Sequence, residues 1–182
     1  MTTWVALLRG INVGGRHLVP MPELRALIEG LGYANVATYI NSGNVLFEVE
    51  RPAADLGPEL AAELADAIED RFGFAVPVVV RTAAEVIALP LAHPLAGQAE
   101  EKLLHVAFLD SAPSSEAVAA FPGERYAPDL LTVEGREAYL AYPGGSGRSK
   151  LNLDVIERAL GVTATGRNWL TVNKLRELCA ER

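Results

Sequence analysis

The stretch Val36-Ala37-Thr38-Tyr39-Ile40-Asn41-Ser42-Gly43-Asn44-Val45-Leu46-Phe47-Glu48-Val49 reads as two strands about a turn. Val36 to Ile40 and Val45 to Val49 favour a pleated backbone, and Asn41-Ser42-Gly43-Asn44 has the chemistry of a hairpin connection. Upstream, Trp4-Val5-Ala6-Leu7-Leu8 is a short apolar run of buried-strand type. A helix lies between, with Pro22 in its first turn, a stripe of Leu24, Leu27, Ile28 and Leu31, and Gly32 at its end. Downstream, Asp55 is placed to cap a second helix bearing Leu56, Leu60, Leu64, Ile68 and Phe72, closed by Gly73. Val76 to Val80 reads as a fourth strand. The hairpin thus has a strand and a helix on each side of it, which is the βαββαβ order of a ferredoxin-like split unit.

Farther along, the order recurs less completely. Residues 82–101, with Pro90, Pro94 and Gly97, read as a short helix and a connecting loop. Leu103 to Leu109 repeats the first strand's pattern, Val106-Ala107-Phe108-Leu109 echoing Val5-Ala6-Leu7-Leu8. A weak helix over 114–121 follows, then strands Leu130 to Val133 and Ala138 to Tyr142 around Glu134-Gly135-Arg136. A helix over 150–160, a short strand near Val162 to Thr165 and a helix over 170–180 close the chain. The expected fold is α+β: two ferredoxin-like halves, the second less complete, plus a C-terminal helix. Residues 1–81 form the first unit, 82–102 a linker, and 103–182 the second.

The 182 residues are 50% hydrophobic and 21% charged, a globular composition that needs no metal or disulfide to close a core. The single cysteine, Cys179, allows no internal disulfide and points to a reducing, cytoplasmic setting. No apolar run approaches membrane-spanning length, so no membrane partner is expected. Thirteen arginines against three lysines fit a bacterial chain of high-GC coding. The net charge of −7 argues against a general nucleic-acid binder. Charge is uneven, however. Residues 48–101 hold eleven acids against three arginines, whereas residues 136–182 hold eight bases against five acids.

Few residues could carry chemistry. His17, His93 and His105 lack metal-ligand spacing, no cysteine cluster exists, and no metal or cofactor is expected. Cys179 falls on the apolar face of the last helix with Val172, Leu175 and Leu178, the place of a small buried hydrophobe. Ser42 lacks the glycine two residues earlier that a nucleophile elbow requires. The glycine loops are better candidates. Tyr142-Pro143-Gly144-Gly145-Ser146-Gly147-Arg148-Ser149-Lys150 runs from a strand to a helix start, where backbone N–H groups and two cations could cradle an anion. Arg9-Gly10-Ile11-Asn12-Val13-Gly14-Gly15-Arg16 repeats that logic. Each loop also has a plain reading as a tight turn. Arg167-Asn168-Trp169 precedes the last helix, where Asn168 or Thr171 can cap it and Trp169 suits the core.

Four of these strings resemble the DUF1697 family: Leu7 to Gly15, Tyr39 to Val45, Gly147 to Leu151, and Arg167-Asn168-Trp169. The resemblance runs over roughly residues 3–179, and it implies an α+β fold similar to paired ferredoxin-like units with no established function. The chain departs from the family pattern at Asn41, where glutamine is usual, and at Leu170, where asparagine is usual.

The sequence therefore points to a protein that binds a small anion, such as a nucleotide or phosphorylated metabolite. The ligand-binding candidates are Arg9, Asn12, Arg16, Asn41, Ser42, Asn44, Arg148, Ser149, Lys150, Arg167 and Asn168. No carboxylate or histidine stands inside those motifs to move protons, so whether the protein is an enzyme stays open. Two alternatives remain. A nucleic-acid module would stack bases on strand aromatics, of which Trp4 and Phe47 are the candidates. A structural or interaction protein would use the same motifs as turns alone. The three loops are expected to approach one another.

Overall fold

The computed structural model describes residues 1–51 and 54–182 of the chain. The chain divides into two compact units, Met1–Ala88 with Arg176–Arg182, and Leu89–Leu175.

In the first unit the order is β1 (Thr2–Leu8), α1 (Met21–Gly30), β2 (Ala34–Tyr39), β3 (Asn44–Val49), α2 (Gly57–Phe72), β4 (Val78–Thr82) and the short α3 (Ala83–Ile87). The four strands pair antiparallel in the order β2-β3-β1-β4. Successive residues of a strand point to opposite faces. Trp4, Ala6 and Leu8 accordingly join Val45, Phe47, Val78 and Val80 beneath Leu24 and Ile28 of α1 and Leu60, Leu64 and Ile68 of α2. Each such aliphatic side chain contributes roughly 1.5–3 kcal/mol on burial. On the opposite face Val5, Leu7, Leu46, Val79 and Arg81 are buried as well. Both faces of β1 are therefore covered, which is why its sequence is a continuous apolar run rather than an alternation.

Asp55 does not cap α2. It sits one residue too early, in the left-handed region at φ 58. Leu56 takes the cap position without a side-chain hydrogen bond, and a proline in the first turn fixes the helix start instead.

In the second unit a 3₁₀ turn at Glu101–Leu103 leads into β5 (Leu104–Leu109), α4 (Ser115–Ala119), β6 (Leu130–Glu134), β7 (Glu137–Ala141), α5 (Leu153–Leu160), β8 (Ala164–Asn168) and α6 (Trp169–Ala180). The sheet order is β6-β7-β5-β8, again antiparallel throughout. Ala107, Leu109, Ala138 and Leu140 pack with Ile156 and Leu160 of α5 on one face. The echo of the first unit is fuller than the sequence suggests, since every element has its counterpart in the same order. It reaches side chains. Val5 lies opposite Arg81, and Val106 lies opposite Arg167. Each arginine donates from one terminal nitrogen to the carbonyl just before it, Val80 O at 2.9 Å and Gly166 O at 2.7 Å. The next residue then caps a helix: Thr82 accepts from the Glu85 N–H at 3.2 Å, and Asn168 from the Leu170 N–H at 2.9 Å.

The last strand starts later than its composition suggests, at Ala164 rather than near Val162. Gly161 ends α5 in a left-handed conformation at φ 68. Thr163 is then tied to Asp110, its N–H donating to Oδ1 at 3.0 Å and its carbonyl accepting from the Asp110 N–H at 2.9 Å. Pairing with β5 begins only after that clamp, so Arg167 and Asn168 lie in a strand and not in a loop.

Candidate functional site

Residues 9–20 of the first unit form a loop held from inside by Asn12. Its backbone is left-handed at φ 54, a conformation asparagine tolerates. Its Nδ2 donates to Val19 O at 3.0 Å and to Asn41 O at 2.9 Å, while its Oδ1 accepts from the Val19 N–H at 2.9 Å. One amide thereby closes the loop and docks it on the β2–β3 turn. Beyond it Val13 and Arg16 pair as a miniature hairpin over Gly14 and Gly15, at φ 59 and 73. Two left-handed residues in a row are the requirement of the twist-compatible hairpin turn. Arg16 is exposed at the end of this hairpin, and neither it nor the Asn41 side chain has a partner among the described residues. Arg9 is half-buried, and its N–H donates to Pro77 O at 3.0 Å.

In the β2–β3 turn Asn44 is fully buried and donates to Tyr39 O at 2.9 Å and to Ser42 Oγ at 3.0 Å. Asn44 and Ser42 therefore hold the turn. Two of the three expected loops, Arg9–Arg16 and Asn41–Asn44, come together through Asn12. The third belongs to the second unit.

That third loop is organised by Ser149. Its Oγ donates to Asp129 Oδ2 at 2.5 Å and accepts from the Leu151 N–H at 2.9 Å. Below it the Tyr142 hydroxyl donates to Leu151 O at 2.9 Å. Burial, then the Asp129 charge, pushes the Tyr142 phenol up to about 12. Arg148 and Lys150 are exposed and have no partner among the described residues. Asp129, twenty positions upstream, brings a carboxylate to a loop that looks purely basic in sequence. Arg167 is buried, and one of its terminal nitrogens donates to Thr165 Oγ1 at 2.9 Å, while burial pulls its guanidinium down to about 10. Asn168 also donates to Lys102 O at 2.6 Å, so it ties β8 to the entry of β5. Both positions bind the chain to itself.

His17 is the residue that sequence spacing passes over. It lies beside Arg16 with a left-handed backbone at φ 50 and its carbonyl held by the Asn12 N–H at 3.0 Å. Its ring stacks on Phe74, with centroids 4.6 Å apart and planes at 21°. The signal for it, a contact with a residue 57 positions away, is not a local one.

The remaining candidates are buried. Trp4 and Phe47 are 3% and 0% exposed, so neither offers a base-stacking face. Cys179 is buried, and burial pushes its thiol up to about 11, away from nucleophilic use. No cluster of three metal-ligating side chains occurs among the described residues, and no helix there is long and apolar enough to cross a membrane.

His93 gives a pH-dependent stability. It is 3% exposed, with its ring edge-on to Tyr139 and Trp169. Its Nδ1 accepts from the Leu95 N–H at 3.1 Å and its Nε2 donates to His105 O at 2.9 Å, which is the neutral ring with both nitrogens used. Burial holds His93 and His105 below the usual imidazole range. The folded chain then binds fewer protons than the unfolded one once pH falls below about 6.5, so stability is full above that value and is lost beneath it. The slope can reach at most about 1.4 kcal/mol per pH unit for the buried His93, and the partly exposed His105 adds less. Urea unfolding between pH 7.5 and 5.5 checks this, and a flat stability across that range would refute it.

The arrangement defines a class: an α+β protein of two four-stranded antiparallel units, with polar loops braced by asparagine. The chain belongs to the family described as protein of unknown function (DUF1697), which matches residues 1–139. Among solved structures it is similar to the conserved bacterial protein SP0830 from Streptococcus pneumoniae, with a TM-score of 0.67, 22% identity and 98% of each chain covered. At that identity the likeness is one of fold. No curated protein matches the chain significantly.

Proposed function

We propose that the protein binds a small anion, of the nucleotide or phosphorylated-metabolite class, on the Gly10–His17 loop and the Asn41–Asn44 turn beside it. The observation that carries this is an uncompensated set of donors. The Arg16 and Asn41 side chains are exposed and have no partner among the described residues, beside a two-glycine hairpin tip, while residues 1–22 and 30–47 contain no acid. Left-handed turns of this kind expose successive backbone N–H groups that suit an anion. The Gly144–Lys150 loop is the weaker candidate, because Asp129 held by Ser149 sets a carboxylate against its cations. Of the sequence candidates Asn12, Ser42, Asn44, Ser149, Arg167 and Asn168 act as braces, Arg148 and Lys150 belong to the weaker loop, and Arg16 with Asn41 are left to meet the ligand beside the half-buried Arg9. Strand orders β2-β3-β1-β4 and β6-β7-β5-β8 support reading each unit as ferredoxin-like. The free, buried Cys179 supports a bacterial cytoplasmic setting.

Phosphate at ten to a hundred times its dissociation constant adds roughly 1.4–2.7 kcal/mol by mass action, or roughly 3–10 °C in Tm for a chain of this size. The comparison is with chloride at equal ionic strength. The wild type and Lys150→Ala are expected to show the gain and Arg16→Ala to lose it. Equal gains in wild type and Arg16→Ala would exclude this loop.

A further inference from the structure

We infer that His17 is the specificity-determining residue of that loop, and that it selects phosphate-type ligands carrying a protonated oxygen over fully ionised anions such as sulfate. The inference rests on the anion-binding reading above and adds a chemical role to it.

Three constraints fix the ring. The backbone is held left-handed, Phe74 stacks on one face, and Nδ1 lies 3.3 Å from Gly10 O. A backbone carbonyl only accepts, so Nδ1 carries the hydrogen of the neutral ring. This leaves Nε2 as a lone pair, and the residue is exposed with no other partner among the described residues. An exposed side chain gains little stability from being so restrained, and restraint of this kind is what a recognition group needs. An acceptor fixed one residue after Arg16 would complete a two-part test of the ligand. Arginine attracts the charge, and Nε2 requires a hydrogen on one oxygen. Inorganic phosphate, or a phosphomonoester in its singly charged form, supplies that hydrogen. Sulfate has none at neutral pH, so its oxygens would meet a lone pair. A site built to pair a hydroxyl rejects the analogue that lacks it, because its own polar group is left unpaired. No bond to the ligand is made or broken in this account, and one hydrogen is shared between Nε2 and oxygen.

The test has two parts. In the ligand-free protein, nitrogen NMR of the ring is expected to show His17 in the Nδ1–H form. The Nε2–H form would overturn the inference and leave the anion site standing. Then phosphate and sulfate are titrated by calorimetry at pH 8, above the usual imidazole range. The wild type is expected to prefer phosphate by about tenfold or more. His17→Asn tolerates the left-handed backbone but is too short to take the place of Nε2, and it is expected to bind both anions within about twofold of each other. A wild type that binds the two equally, or a preference that survives His17→Asn, would overturn the inference. Failure of phosphate to bind the wild type at all would overturn the loop's anion site and this role together.

Discussion

Replacing Gly43 with alanine is expected to destabilise the protein by about 2–4 kcal/mol, through left-handed strain and overpacking together. Gly43 has φ +86, and an added Cβ would stand 2.7 Å from Leu8 Cβ and 2.8 Å from Ile11 Cδ1. The turn cannot step aside, because Gly43 O accepts the Leu8 N–H at 2.9 Å. Gly14 supplies the control. It has φ +59, but a Cβ there meets nothing within 4 Å. Gly14→Ala should therefore cost only the backbone strain, about 1–2 kcal/mol. Denaturant unfolding of both variants reads the difference, and equal losses would mean that the close approach of turn and β1 is wrong.

Asn12→Ala is expected to cost a similar amount, about 2–4 kcal/mol. It deletes the bonds to Val19 O and Asn41 O and the acceptor for the Val19 N–H, and it leaves alanine at φ 54. Asn12→Gly removes the strain but not the loss of bonds, so it should recover about 1 kcal/mol of the deficit. Hydrogen exchange adds a local readout, since the Val19 amide should lose protection in both variants. A Val19 amide that stays protected in Asn12→Ala would show that the loop does not depend on this side chain.

Much of the fold was legible because its elements are periodic. The four-residue spacing of Leu60, Leu64 and Ile68 and the apolar run Trp4 to Leu8 each specify an element and its burial. What was not legible depends on partners distant in sequence. Asn12 stands among the ligand candidates by its loop alone, and nothing local shows that Asn41, 29 residues away, accepts its hydrogen. Nothing local singles out Asp129, whose partner Ser149 lies 20 residues on. Ala164-Thr165-Gly166-Arg167-Asn168 lacks a strand's composition, and register with β5 makes it one. The candidate loops were legible as polar, glycine-rich strings, but the partners of their side chains were not. Asparagines and serines that resemble ligand donors satisfy backbone groups, and the histidine set aside for want of metal spacing is the one that the loop orients.

The most direct measurement is an amide NMR titration of the whole chain with inorganic phosphate at constant ionic strength. The account predicts saturating shifts, with one dissociation constant, at the amides of Gly14, Gly15, Arg16 and His17 and at the Asn41 side-chain amide. Saturating shifts confined to Gly144–Lys150, or shifts that chloride reproduces at the same ionic strength, would contradict it.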